Sequence, residues 1–220
     1  MMILLGKEII FPNVESASPE GIVAIGGDLS PQRLALAYNS GIFPWYNQGE
    51  PIVWYSPDPR MVLFPERLKI SKSMRKVLRD QVFEITFNQN FKEVISNCKI
   101  TSRKDQEGTW ITDDMQEAYI KLHEAGLAKS VEVWQNKQLV GGLYGIDLAQ
   151  SDSVHGHVFC GESMFSKVSN ASKAAFIYLV QKLEKEKYKL IDCQLYTDHL
   201  ASLGAEEISR AAFINVLNTP

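Results

Sequence analysis

Two polar residues interrupt an apolar stretch near the C-terminus, LIDCQL. If this stretch is a strand, Asp192 and Gln194 face one side, while Ile191, Cys193 and Leu195 face the other. Polar groups on an apolar strand cost free energy unless they are paired or used in a site. The pair therefore either binds a substrate or satisfies neighbouring backbone groups. The alternation disfavours a nucleophilic cysteine that acts together with the pair.

A third polar residue, Glu162, lies in the apolar stretch FCGESMFS, which we interpret as another strand. Its neighbours Phe159, Met164 and Phe165 indicate a hydrophobic wall around the carboxylate. The glycines of VGGLYG favour a strand that a ligand or another backbone approaches closely. They do not form the GxGxxG pattern of dinucleotide binding.

A cationic stripe is the strongest electrostatic feature. Lys72, Arg75, Lys76 and Arg79 are spaced i, i+3, i+4 and i+7, so they share one face of a predicted helix. On a chain of net charge −3 such a stripe is a candidate track for phosphates. The alternative is a solvated helix face with no ligand.

An aromatic segment spans residues 43–55 and contains five aromatic residues. Trp45 lies between Pro44 and Tyr46 in a predicted loop, where a flat ring can stack on a base. Packing in the core is the more frequent use of such rings, and we expect it for most of them.

The histidines and cysteines do not predict a metal site or a disulfide framework. His155 and His157 form HGH without acidic or cysteine ligands at useful spacing, which favours a polar loop. Cys98, Cys160 and Cys193 are odd in number and widely spaced. We therefore expect reduced thiols in a cytoplasmic protein.

The composition is that of a soluble globular chain. Of 220 residues, 45% are hydrophobic and 22% are charged, which argues against a disordered or fibrous protein. The acidic balance argues against a histone-like protein, so a nucleic-acid contact needs a local patch. The apolar run MMILL is too short for a secretory signal or a membrane span, so we expect no membrane partner.

The chain divides by composition near residue 60. Residues 1–60 hold seven of the nine prolines, and Ser30 followed by Pro31 predicts a helix start. We predict a small N-terminal domain over 1–60 and a larger domain over 61–220, alternating in α and β elements. The larger domain reads as hairpin, strand, long helix and strand, an α/β (α+β) arrangement found in GNAT-type acyltransferases.

We do not expect this domain to bind coenzyme A. GNAT-type enzymes that use it place a glycine-rich loop at the start of the central helix, where it binds the pyrophosphate. The corresponding stretch here, SKVSNASK, contains no glycine. We expect no cofactor.

An ordered set of segments across residues 11–217 resembles a known family. The segments are GIFPWY, WYSPDPR, QEGTWIT, HEAGLAKSVEVW, LVGGLYGI, FCGESMFS, NASK, LIDCQ and HLASLGA. Together they resemble the leucyl/phenylalanyl-tRNA–protein transferases, which are bacterial, cytosolic, and independent of metal and coenzyme A. The resemblance implies a small N-terminal domain on a GNAT-type catalytic domain. It also implies transfer of leucine or phenylalanine from aminoacyl-tRNA to an N-terminal arginine or lysine, which marks the acceptor protein for N-degron (N-end rule) degradation.

The resemblance also implies roles for individual residues. Gln194 would contact the attacking amine, Asp192 would orient or polarise Gln194, and Glu162 would bind either the amine or the basic side chain of the acceptor. Trp45 would stack on the terminal adenosine, with Tyr38 and Trp110 nearby. The aminoacyl side-chain pocket would be formed by Leu143, Phe159, Met164, Ser166, Leu179 and Ile191. The stripe Lys72, Arg75, Lys76 and Arg79 would bind tRNA phosphates.

Two other classes stay open on the residues alone. One is an acyltransferase of the same fold that uses another donor, and the other is a non-catalytic tRNA-binding protein, which would not need Asp192, Gln194 or Glu162. Leu143 stands where some relatives have methionine, so the preference between leucine and phenylalanine can differ. Nothing in the sequence indicates an oligomer, and we expect a monomer.

Overall fold

The computed structural model describes residues 3–101, 110–150 and 157–219, and its strands form two sheets. The smaller sheet comprises Leu4–Leu5 (β1), Ile22–Gly26 (β2), Phe43–Pro44 (β3) and Val53–Tyr55 (β4). Its order is β1-β2-β4-β3, with β1 parallel to β2 and the other pairs antiparallel. Phe43 and Pro44, just before Trp45, are thereby held in a sheet.

The larger sheet contains seven strands. They are Arg60–Leu63 (β5), Glu84–Phe87 (β6), Ala128–Gln135 (β7), Gln138–Asp147 (β8), Val158–Ser166 (β9), Leu190–Gln194 (β10) and Glu206–Ile208 (β11). The order is β11-β5-β10-β9-β8-β7-β6, and within the described part of this sheet β9 with β10 is the one parallel pair. The predicted order of hairpin, strand, helix and parallel strand is present, which confirms the mixed α/β class.

Seven α-helices accompany the sheets in the described ranges. They are Pro31–Asn39 (α1), Lys72–Arg79 (α2), Phe91–Ile100 (α3), Asp113–Glu124 (α4), Ala171–Lys185 (α5), Asp198–Ser202 (α6) and Arg210–Asn218 (α7). Ser30 caps α1 as predicted, and Ser71 and Thr112 cap α2 and α4; each of the three side chains accepts a backbone N–H bond. Asn90 makes no such bond at α3; instead the buried Glu132 carboxylate accepts the Asn90 N–H at 3.3 Å. Among the described residues, no helix combines the length and apolar character needed to cross a membrane.

The hydrophobic core runs continuously from the first sixty residues into the rest of the chain. Leu34 and Trp54 belong to the same buried cluster as Val94 of α3 and Met115 of α4. A second cluster joins α5 to β7 and β8. The N-terminal segment therefore packs on the part that carries the larger sheet. The domain boundary between residues 60 and 61 stays a prediction.

Candidate functional site

A cavity lies where two parallel strands separate. β9 and β10 pair only as far as Cys160 and Asp192, while β9 continues to Ser166. The cavity has a volume of about 580 Å³, within the range of small-molecule sites. Its lining comes from four places: the Phe43–Trp45 segment with Trp110, the strands β8 and β9, helix α5, and the stretch from Cys193 to Leu200.

Backbone bulges aim two of the predicted catalytic residues into this cavity. On β9 the register with β8 shifts so that Glu162 is the extra residue between Gly161 and Ser163. On β10 the register with β5 shifts at Cys193, and Gln194 adopts a positive φ of 58°. Bulges commonly redirect side chains next to active sites. Glu162 and Gln194 both line the cavity, and Gln194 Nε2 donates to Glu162 Oε1 at 3.4 Å.

The bulge on β10 corrects the simple alternation that the sequence predicts. Cys193, expected to face away from the polar pair, also lines the cavity. Asp192, expected beside Gln194 on one face, is instead fully buried beneath it. Cys193 is nevertheless not a convincing nucleophile, because burial raises the pKa of its thiol well above the ordinary range.

Asp192 is held by a buried arginine that the sequence argument did not select. Arg60 donates from Nε and Nη2 to the two carboxylate oxygens of Asp192, both at 2.7 Å, and neither side chain is more than 1% exposed. The backbone N–H of Gln194 donates to Asp192 Oδ1 at 3.1 Å. Asp192 therefore joins Arg60 to the backbone of a cavity-lining residue.

Glu162 is a carboxyl group in an apolar surrounding with a few polar partners. The Tyr119 hydroxyl donates to Glu162 Oε2 at 3.1 Å, and Tyr119 in turn bonds with the Tyr38 hydroxyl. Burial raises the pKa of Glu162 to about 8, with a smaller contribution from the charge of Asp192 against the opposing hydrogen bonds. Burial also raises the pKa of Tyr119, so its hydroxyl stays protonated as a donor. A carboxyl group with this pKa can exchange a proton near neutral pH.

Of the three residues expected near adenosine, two line the cavity and one does not. Trp45 and Trp110 are half-buried and line the cavity. Tyr38 is 1% exposed and does not line the cavity; its hydroxyl bonds with that of Tyr119, and hydrogen bonding from both tyrosines opposes the rise in the pKa of Glu162. Tyr38 thus supports the carboxyl group from below rather than offering a ring surface to a ligand.

Of the six residues expected in the aminoacyl pocket, some line the cavity and others do not. Leu143, Met164 and Leu179 line the cavity. Phe159 and Ile191 are buried in the cluster directly behind it, together with Leu143 and Leu179. Ser166 is exposed at the end of β9, where its hydroxyl donates to the Val168 carbonyl at 2.8 Å, and it does not line the cavity.

The cationic stripe lies on a different part of the surface. Lys72, Arg75, Lys76 and Arg79 are all exposed on α2, which packs through Met74 against Ala174 and Ile177 of α5. Arg79 pairs with its neighbour Asp80 at 3.1 Å. Since α5 also lines the cavity, the stripe and the cavity share one helix as support.

Several residues at the site escaped the sequence argument. Arg60 and Tyr119 carry the buried polar contacts, and Tyr196 and His199 line the cavity near α6. Arg60 and His199 stood within quoted motifs, WYSPDPR and HLASLGA, but nothing marked Arg60 as a partner of Asp192 or His199 as a cavity residue. His155 of the HGH motif lies outside the described residues. No cluster of three or more potential metal ligands occurs among the residues that are described.

The arrangement suits a reaction on an apolar substrate with a polar reacting group. One amide and one carboxyl group meet in a cavity whose other walls are largely aliphatic and aromatic. No lysine or arginine is among the described residues that line it, so a cationic ligand meets no positive side chain there. Two half-buried tryptophans at the same cavity offer surfaces for a flat ring.

The matching family models and the most similar relatives agree on one family. A family model described as leucyl/phenylalanyl-tRNA protein transferase matches residues 62–218, and a model of the N-terminal domain of that protein matches residues 27–58. The leucyl/phenylalanyl-tRNA–protein transferase of Flavobacterium johnsoniae is 62% identical, covering 99% of this chain and 100% of the relative. That of Christiangramia forsetii is 58% identical over 98% and 100%. An aminoglycoside acetyltransferase from a soil metagenome is 15% identical, covering 56% of this chain and 84% of its own, with a TM-score of 0.41.

Proposed function

The chain belongs to the leucyl/phenylalanyl-tRNA–protein transferase family, and from that premise we propose how its cavity carries out the reaction. The enzyme transfers leucine or phenylalanine from aminoacyl-tRNA to proteins. The observation that carries the proposal is one apolar cavity bounded by two tryptophans and by the Gln194–Glu162 pair. It offers places for the adenosine, the apolar side chain and the reacting ester.

The donor end of the tRNA occupies the cavity with its side chain among apolar groups. Trp45, with Trp110 nearby, stacks on the terminal adenosine, a contact that contributes about 1–3 kcal/mol per base. The leucyl or phenylalanyl side chain packs against Leu143, Met164 and Leu179. One methylene changes binding by only about 1–3 kcal/mol, so the shape of the cavity must do the selecting. The exposed stripe on α2 holds phosphates of the acceptor stem.

The chemistry is aminolysis of an ester that is already activated. The α-amine of the acceptor attacks the ester carbonyl, a C–N bond forms, and the C–O bond to the ribose breaks. An α-amine has a pKa of roughly 7.7–8.0. The pKa of Glu162 is about 8, so transfer of the amine proton to its carboxylate is nearly balanced. Glu162 then returns that proton toward the leaving ribose oxygen, while Gln194 orients the amine.

An acceptor with an N-terminal arginine or lysine fits the charge of the site. The cavity provides the Glu162 carboxyl group and, at its margin, Tyr196, whose hydroxyl donates to Asp198 at 2.9 Å. The two carboxyl groups, Glu162 and Asp198, favour a cationic acceptor over a neutral one, and no lysine or arginine in the described lining opposes it. Marking such proteins for N-end rule degradation in the cytoplasm is the corresponding cellular role. Since one chain supplies every group named here, we propose that a monomer is the working unit.

A transfer assay tests the proposal directly. Labelled leucyl-tRNA is mixed with the enzyme and a peptide that begins with arginine, lysine or alanine. We expect label on the first two peptides only. Trp45→Ala should raise KM for leucyl-tRNA by about 10-fold or more because the stacking contact is lost, whereas Trp134→Phe, a change on β7 outside the cavity lining, should leave KM unchanged. Equal labelling of the alanine peptide would contradict the acceptor preference.

A further inference from the structure

Arg60 occupies an unusual position beneath the cavity. Its guanidinium binds both oxygens of Asp192 and donates from Nη1 to the Gly41 carbonyl at 3.1 Å. The rings of Phe43 and Phe213 lie against it, with centroids 4.9 and 4.5 Å from the guanidinium carbon. Arg60 is 1% exposed and does not line the cavity, so it does not touch a substrate there.

The partner of Arg60 acts on the backbone of Gln194. Asp192 Oδ1 accepts the Gln194 N–H at 3.1 Å while it also accepts Arg60 Nε. Gln194 has a positive φ of 58°, a conformation that side-chain-bearing residues adopt rarely and that needs outside support. The support comes from a carboxylate that Arg60 holds in one orientation.

We propose that Arg60 is a positioning residue for aminoacyl transfer: by fixing Asp192 it holds the Gln194 backbone so that the Gln194 side chain points into the cavity beside Glu162. The inference rests on the proposed role of Gln194 at the attacking amine. The same guanidinium contacts Gly41 and Phe43, which lead directly to Trp45. One buried cation therefore braces the segment assigned to the adenosine and the segment assigned to the amine.

Stability alone does not account for such a pair. Removing two charges from water is costly, and apolar residues of similar volume often stabilise a core as well as a buried ion pair does. A lysine would keep the charge but cannot make two parallel bonds to one carboxylate. The fork geometry of arginine is thus what the Gln194 backbone requires.

The test compares two buried arginines. Arg60→Lys should lower kcat for transfer by about 100-fold, the effect of a displacement near 1 Å at a reacting group. KM for leucyl-tRNA should change little, because lysine keeps a cation beside Phe43 and a donor for the Gly41 carbonyl. Arg33→Lys is the matched control, because Arg33 is likewise buried, at 0% exposure, and pairs with Asp28 at 3.4 Å, but does not line the cavity or touch Asp192. It should leave kcat unchanged. A wild-type kcat in Arg60→Lys, or an equal fall in both variants, would overturn the proposal.

A double-variant cycle separates positioning from a general structural role. If Arg60 acts through Gln194, then Arg60→Lys should cost little further activity in a Gln194→Ala background. Equal fold losses in both backgrounds would overturn the proposal. A fully active Gln194→Ala would instead overturn the proposed role of Gln194 itself. If Arg60→Lys does not fold, Phe213→Leu removes one ring from the guanidinium, keeps both charges, and is judged by the same criteria.

Discussion

The buried charges beneath the cavity and the cationic stripe on α2 are two charged regions that differ in their exposure to solvent. Arg60 and Asp192 are at most 1% exposed, whereas all four side chains of the stripe are exposed. Charges in a low-dielectric interior interact strongly and cannot be left unpaired, while exposed charges are screened within about 10 Å at ordinary salt. Single changes should therefore be drastic and insensitive to salt in the first region, and modest and strongly dependent on salt in the second.

The largest expected effect comes from the first region. Asp192→Ala leaves Arg60 as an uncompensated buried charge and releases the Gln194 backbone, so we expect transfer to fall by at least about 1,000-fold. The affinity for leucyl-tRNA should stay within a small factor of wild type, because Trp45 and the stripe are untouched. Single-turnover transfer and filter-binding titrations measure the two quantities.

A folding control accompanies this variant. Asp192→Asn keeps an oxygen for the Gln194 N–H and a similar volume, and circular dichroism shows whether either variant is folded. A folded Asp192→Ala enzyme that still transfers leucine would show that the reaction does not need Asp192. It would also contradict the expectation that changes to the buried charges have larger effects than changes to the exposed stripe.

A second variant tests the carboxyl group in the cavity through both rate and stability. Glu162→Gln removes the proton acceptor and should lower kcat by about 100-fold or more. Burial raises the pKa of Glu162 from 4.5 to about 8, so the folded state keeps a proton that the unfolded state loses in this range. Wild-type stability should fall as the pH rises from about 4.5 to 8, and the variant should lack this part of the decline.

Melting temperatures at pH 5 and pH 8.5 measure that difference. The melting temperature of Glu162→Gln minus that of wild type should be larger at pH 8.5 than at pH 5. Glu93→Gln, at an exposed residue of α3, is a suitable control. A pH-independent gap would contradict the raised pKa, and wild-type kcat in the variant would contradict the proton transfer.

The sequence predicts the elements around the site better than the site itself. Helix starts at Ser30, Ser71 and Thr112 follow from local hydrogen bonding, so short-range chemistry suffices to find them. Strand alternation places Asp192 and Gln194 side by side, but the bulge at Cys193 breaks the alternation. A bulge depends on the partner strand, here β5, and leaves no mark in the stretch that contains it.

The Arg60–Asp192 ion pair also could not be predicted from the local sequence, because its partners are far apart along the chain. Arg60 and Asp192 are 132 residues apart, and only the pairing of β5 with β10 brings them together. The contact of Tyr38 with Tyr119 is a second example, since the position of Tyr38 on α1 does not reveal that the two hydroxyls form a hydrogen bond. The resemblance of the motifs names candidate residues, while the contacts among them require the three-dimensional structure.

A smaller effect is expected from the exposed region. Arg75→Gln with Arg79→Gln should weaken tRNA binding and reduce the slope of log K against log salt by about 1.4–1.8, or roughly 0.7–0.9 for each lost phosphate contact. Lys92→Gln with Lys121→Gln is the matched control, because these lysines are also exposed on helices but lie on α3 and α4. Affinity measured between 50 and 300 mM salt gives the slopes. Identical slopes in both double variants would make the stripe a solvated helix face.

The smallest effect concerns the apolar wall of the cavity, which shares the burial of the first region but carries no charge. Leu143 is 2% exposed on β8 and lines the cavity, and methionine there is more flexible at similar volume. Leu143→Met should therefore change the ratio of kcat/KM for leucyl-tRNA to that for phenylalanyl-tRNA by about 2- to 5-fold, within the small range that shape discrimination allows. Leu139→Met, buried on the same strand outside the cavity lining, should leave the ratio unchanged. The shift should be the same at low and high salt and at pH 6.5 and 8, because no charge changes. A shift that varied with salt would mean that the side chain acts through tRNA binding, and the wall around Leu143 would then not be the aminoacyl pocket.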